Sequence, residues 1–283
     1  YLFTDDKQNL NYPDNFIVKY TTLEELKDFF QSKFDFKISL SGVYKLGDYK
    51  PLYGYLFEDL IKDYDAWGYL DVPDEICGDV SEFVNEEAFK DVDKLMTRGH
   101  MTIFKNTPEI NRRFMADTGE MFNYRDIFSS EHFFNFEEIA KGSISWIYVN
   151  NKWNMNLLND AVADVSGLFY DFRRSCISDK LEYYRPSKAP SIYAREDGKV
   201  YGYFLEKGQV VKREYLYLHF KRRKMQINVP LEADKYLIVP SGFEPYKEVT
   251  DDVIKHYAKK KWFYPVFWEE VKKSIVRKFT KNN

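Results

Sequence analysis

The chain has 283 residues, 44% of them hydrophobic and 31% charged, with a net charge of −3. This supports a sizeable buried core and gives no electrostatic footprint for nucleic-acid binding. Its two cysteines, Cys77 and Cys176, make no disulfide framework, and no apolar run reaches the length of a membrane span, so the expected setting is a reducing one, the cytoplasm.

The opening Tyr1-Leu2-Phe3-Thr4-Asp5-Asp6 reads as the second half of a strand running into a loop. The natural N-terminus is therefore expected to lie upstream. Phe16 to Tyr20 alternates like a strand. Thr22, three residues before Glu25, forms a capping box for an amphipathic helix through Phe34. Asp48 to Tyr64 carries apolar positions at Tyr53, Leu56, Phe57, Leu60 and Ile61, a helical pattern with Pro51 in its first turn. Ala66 to Leu70 and Leu95 to Phe104 read as strands, and Thr107-Pro108 opens another helix. This alternation predicts an α/β fold with a mostly parallel central sheet.

The second half changes character. Ser191 to Phe220 reads as three strands joined by the turn dipeptides Asp197-Gly198 and Lys207-Gly208, and Tyr236 to Pro240 as a further short strand. From Asp251 onward the pattern is helical, basic and aromatic. The expected organisation is one α/β domain over 1–250 with an antiparallel insertion, followed by a helical tail over 251–283.

Several groups of residues carry chemistry. The strand Ala66–Leu70 runs into Asp71-Val72-Pro73-Asp74-Glu75. Oxygen ligands at a strand end suit Mg²⁺ or Mn²⁺ holding a diphosphate, with Asp71 and Asp74 as the metal ligands and Glu75 in reserve. A solvated acidic turn is the alternative. His219 is followed by Lys221, Arg222 and Arg223. The His suits a metal or phosphate, and Lys221 and Arg222 suit a leaving diphosphate; a basic turn with a half-buried His is the alternative. Gly99-His100 with Asn106 offers groups for substrate hydroxyls, or a packed His and a turn Asn. Glu137, Glu138, Asp160 and Asp164 are candidates for a catalytic base, with helix N-terminal charge the other role for the two glutamates. Lys259 to Trp268 interleaves cations with aromatics, as an interfacial helix on anionic lipid would, or as a helix packed on the domain. Aromatic content of 18%, mostly Tyr and Phe, reflects either base-composition bias or a sugar-binding surface.

The stretches Tyr44–Pro51, Trp67–Asp71, Gly78-Asp79, Gly99-His100, Asn106–Asn111 and Tyr217–Met225 come in an order that resembles bacterial capsule- and polysaccharide-type glycosyltransferases of GT-A fold. The resemblance spans roughly residues 1 to 225. It implies a Rossmann-like nucleotide-sugar-binding domain, with an earlier strand and helix ahead of Phe3-Thr4-Asp5-Asp6, and a metal-dependent transferase. The donor would be a nucleotide-diphosphate sugar, a UDP-sugar first, and the acceptor a cell-surface or lipid-linked glycan at the inner face of the membrane. It implies Asp48 at the ribose or base and Lys50 near phosphate, with an Asp cap and a solvated Lys as the alternative. Thr4, Asp5 and Asp6 are placed at the base, or in a surface loop. Where that family has Asp-X-Asp, this chain has Asp71-Val72-Pro73-Asp74. The extra residue displaces the second carboxylate by over ~3 Å in extended chain. A glycan-binding protein on the same scaffold and a metal-dependent phosphohydrolase are the competing functions.

Overall fold

The computed structural model describes residues 1–8, 10–71, 75–221, 223–259, 268 and 272. They form two units. Unit 1 comprises Tyr1–Leu70 and Asp91–Asn156, and unit 2 comprises Asp71–Lys90 and Leu157–Asn283. In chain order the strands are β1 (Leu2–Thr4), β2 (Val18–Tyr20), β3 (Ala66–Leu70), β4 (Glu75–Cys77), β5 (Lys94–Arg98), β6 (Met101–Lys105), β7 (Met155–Asn156), β8 (Val162–Val165) and β9 (Arg174–Ile177). They continue with β10 (Tyr183–Tyr184), β11 (Ser191–Glu196), β12 (Lys199–Glu206), β13 (Gln209–Tyr215), β14 (Tyr217–His219), β15 (Gln226–Ile227), β16 (Tyr236–Val239) and β17 (Gly242–Pro245). The α-helices are α1 (Leu23–Gln31), α2 (Leu46–Tyr49), α3 (Tyr53–Leu56), α4 (Glu58–Ile61), α5 (Tyr124–Ser129), α6 (Ile144–Asn150) and α7 (Asp251–Tyr257).

In unit 1 the capping box is complete. The Thr22 hydroxyl oxygen accepts from the Glu25 amide at 3.2 Å, and the Glu25 carboxylate accepts from the Thr22 amide at 2.7 Å. Helix α1 stops at Gln31, short of Phe34. The long helix expected over Asp48–Tyr64 is instead α2, a 3₁₀ turn Lys50–Leu52, α3 and α4 in succession. Pro51 has no amide hydrogen for the helical ladder, so the chain tightens there. Gly54 is required by packing: a Cβ on it would lie 2.3–2.5 Å from the Trp67 indole. Tyr49, Leu52 and Leu56 from this segment join Phe30, Trp67, Phe104, Phe114 and Phe128 in an aromatic core. The strand expected over Leu95–Phe104 is a hairpin, β5 and β6, that turns at Gly99-His100. The sheet order is β3-β6-β5-β7, antiparallel except for β5–β7, and β1 and β2 form a separate parallel pair.

Unit 2 holds two sheets. One has the order β10-β9-β8-β14-β4, with β14 parallel to β8 and the other pairings antiparallel. The other has the order β13-β12-β11-β16-β17-β15, antiparallel except for β15–β17. Both predicted turns form. Asp197 and Gly198 have φ of 51° and 83°, and Lys207 and Gly208 have 50° and 82°, the two positive values a tight hairpin needs. The two sheets share a core: Ala163, Val165 and Leu218 from the first meet Tyr193, Val200, Phe204, Tyr215 and Ile238 from the second. On the second sheet's other face, Ile254 of α7 packs with Ile192, Ala194, Leu237 and Val239.

The expectation of a mostly parallel, Rossmann-like GT-A core is therefore corrected. Parallel neighbours need long crossovers, usually helical. Here β5–β6, β11–β12, β12–β13 and β16–β17 return directly as antiparallel hairpins, and the helices among the described residues span only four to nine residues. No helix among the described residues is long and apolar enough to cross a membrane. Most of the basic aromatic tail, including 260–267, lies outside the described residues.

Gly54→Ala is expected to destabilise the protein by about 1–3 kcal/mol through overpacking against Trp67. Urea denaturation reads this as a lower midpoint, and an unchanged midpoint would contradict the close approach.

Candidate functional site

Strand β14 lies between β8 and β4. In that register His219 stands opposite both Asp164 and Glu75, and Leu218 opposite both Ala163 and Ile76. Side chains alternate between the faces of a strand. Leu218, Ala163 and Ile76 therefore turn to the apolar core, and His219, Asp164 and Glu75 form a row on the opposite face.

The row is tied together. His219 Nδ1 lies 3.1 Å from Asp164 Oδ1, and Lys221 Nζ lies 3.1 Å from Asp164 Oδ2. Asp164 is fully buried and His219 nearly so. A buried carboxylate at Nδ1 favours the tautomer with the proton there, which leaves Nε2 as an acceptor or metal ligand. A carboxylate oxygen of Glu75 and a ring nitrogen of His219 lie within 4.8 Å of each other. Lys221 reaches Asp164 from a left-handed backbone conformation with φ of 46°, a position that costs a non-glycine residue about 1–3 kcal/mol. Behind it, the buried Arg223 guanidinium donates to the carbonyls of Ser166, Phe169 and Tyr170 at 2.9, 2.7 and 2.7 Å. This pins the segment after β14 to the loop after β8.

The other predicted residues fall as follows. Asp71 is half-buried, and no group of three metal-capable side chains among the described residues includes it. Asp74 and Arg222 lie outside the described residues. The Thr4 hydroxyl oxygen accepts from the Asp6 amide and an Asp6 carboxylate oxygen from the Gln8 amide, so Thr4, Asp5 and Asp6 form a turn with both carboxylates exposed. Asp48 is fully buried and accepts from Lys45 Nζ at 2.8 Å and from the amides of Phe134 and Phe136 at 3.1 and 2.9 Å. That carboxylate organises its own segment and presents no face to a ribose. Lys50 Nζ donates to the Gly99 carbonyl at 2.9 Å and sits 5.7 Å from the centre of the Tyr69 ring. His100 is buried at the β5–β6 turn. Asn106 donates to the carbonyls of Ile61 and Tyr64 and accepts from Asn111, a turn role. The Asp160 side chain is fully exposed.

Glu137 is buried in unit 1, and its Oε2 has no hydrogen-bond partner. Burial pushes its carboxyl up to about 7; Lys50 opposes the shift, and Glu138 and Asp48 add to it. Glu138 beside it is half-buried.

A family model described as a family of unknown function, DUF6625, matches residues 1–247. The chain belongs to DUF6625. No curated protein and no solved structure matches it. The DUF6625 description carries no activity, and the resemblance to capsule-type glycosyltransferases has no counterpart among these matches.

Sequence reasoning named His219, Asp164 and Lys221 separately, and it held Glu75 only in reserve. Their assembly had no sequence signal, because it arises from strand pairing between segments far apart in the chain.

Glu137 gives a pH signature. Its folded value of about 7 exceeds the ordinary 4.5, so the folded state binds more protons between those values. Its contribution is full below pH 4.5 and is lost as pH rises through 7. The shift corresponds to at most ~3 kcal/mol. Urea titrations at pH 5 and pH 8 are expected to show a smaller loss of stability for Glu137→Gln than for the wild type, and parallel losses would contradict this assignment.

Proposed function

We propose that the chain transfers a sugar from a nucleotide-diphosphate donor, with a UDP-sugar the first candidate, to a glycan acceptor, assisted by a divalent cation. The observation that carries this reading is the row Glu75–His219–Asp164 with Lys221 beside it. The reading rests on side chains, since the GT-A topology is not this chain's. The sugar donor is supported by the Tyr217–Met225 stretch, one of the motifs in the resemblance and the one that supplies His219 and Lys221.

Glu75 and His219 would hold the cation. One imidazole and one carboxylate suit Mn²⁺ better than Mg²⁺, which favours all-oxygen surroundings. When bound, the cation supplies Lewis-acid stabilisation of the leaving diphosphate. Asp164 fixes the His219 ring and holds the Lys221 ammonium in place. Lys221, only partly exposed, adds positive charge where the diphosphate leaves. Cys77 and Cys176, which form no disulfide with each other, fit action at the cytoplasmic face of a membrane, where lipid-linked glycans are built.

Calorimetric titration with UDP is expected to show binding at least tenfold tighter with Mn²⁺ than without it. His219→Gln, with its fold confirmed by circular dichroism, is expected to lose that metal dependence, and Asp164→Asn to weaken it. Absence of Mn²⁺-dependent UDP binding by the folded wild type would overturn the proposal. Cleavage of generic phosphoesters without an acceptor would replace it with a phosphohydrolase.

A further inference from the structure

Unit 2 contains a cavity of about 510 Å³, within the range of small-ligand sites. We propose that it is a binding site for an acidic sugar residue, a pyranose ring carrying a carboxylate, and that it is separate from the metal row. Strand register establishes the separation. Val165 pairs with Arg174 and Asp164 with Ser175, so Arg174 lies on the core face of the five-stranded sheet and the row lies on the other.

Arg174 is the anchor. Its Nη1 donates to the Asn159 carbonyl at 2.7 Å and reaches the Val162 carbonyl at 3.5 Å. Among the described residues its Nη2 has only the Asp160 carboxylate, 3.8 Å away and fully exposed. A screened pair of that kind contributes little. The guanidinium is thus held by the main chain, only 14% exposed, with donors left for a ligand. A planar fork of N–H groups matches a carboxylate in two-point contact.

The rest of the lining selects what carries the carboxylate. Phe172, Phe204 and Tyr215 line the cavity as largely buried rings. They give the cavity an apolar wall that suits the C–H groups of a pyranose ring. Arg213 also lines the cavity, but its Nη1 and Nη2 each donate to Glu206 at 2.9 Å. That pair is neutral, so Arg174, facing only the solvent-screened Asp160, is the guanidinium that meets a ligand's carboxylate. A single guanidinium matches a monoanion better than a phosphate dianion, and the carboxylates of Asp160 and Glu206 accept well from sugar hydroxyls. Ser187 and Ser191 add hydroxyls to the same wall.

The test uses the whole chain with two probes, oligomers of galacturonic and of glucuronic acid, each beside its carboxyl-reduced form. At least one acidic oligomer is expected to bind ten times or more tighter than its reduced form. Arg174→Gln is expected to remove that preference, and His219→Gln to leave it intact. Equal affinity for acid and reduced forms, no binding of any probe, or full acid preference in a folded Arg174→Gln would each overturn the proposal. If that variant does not fold, the wild-type ratio decides. UDP and Mn²⁺ titrated into the same samples report on the transferase reading independently: its loss would leave an acidic-glycan site standing, and the reverse outcome would leave the transferase.

Discussion

Unit 2 depends on one passage of the chain between two sheets. Tyr215 ends β13 in the six-stranded sheet, and Tyr217 begins β14 in the five-stranded one. Leu216 makes the crossing fully buried, donating to the Ala161 carbonyl at 2.8 Å and accepting from the Gly78 amide at 2.7 Å. A buried backbone group without a partner is costly, so these two bonds fix where β14 enters. They set its register against β8 on one side and β4 on the other. From that register follow both the apolar triplet Leu218–Ala163–Ile76 and the ionisable row on the reverse face.

The same passage places the cavity. Because β13 and β14 are continuous, the two sheets meet beside Tyr215, where Arg174 passes its ring at 5.6 Å. The sheets pack through Tyr193, Phe204 and Phe172. An ionisable row on one face and an aromatic, arginine-bearing recess at the other are two results of one strand-pairing decision.

Unit 1 solves a different problem, the burial of charge. Asp48 is compensated by an ammonium and two amides, so it serves as a fixed strut among aromatic rings. Glu137 is not so compensated, and it meets the same desolvation by holding its proton to higher pH. Neighbouring carboxylates in one unit thus take opposite solutions, according to the donors within reach.

What the sequence by itself determined is local. The Thr22–Glu25 box, the Asp197-Gly198 and Lys207-Gly208 turns, strand β3 and most of β16 were legible, because caps, left-handed turn positions and two-residue alternation act within a few residues. The break at Pro51 was legible only as a first-turn proline, and the close approach of Gly54 to Trp67 was not legible at all. The reading of parallel sheets failed because apolar alternation is the same in a parallel strand and a hairpin strand. Direction is set by the partner. The site was legible as residue types, in His219, Lys221 and Asp164. Its assembly, the promotion of Glu75, the confinement of Asp48 and the recess around Arg174 were decided by tertiary structure. Each depends on which distant backbone pairs with which, and that is fixed by burial and hydrogen bonding across the whole unit.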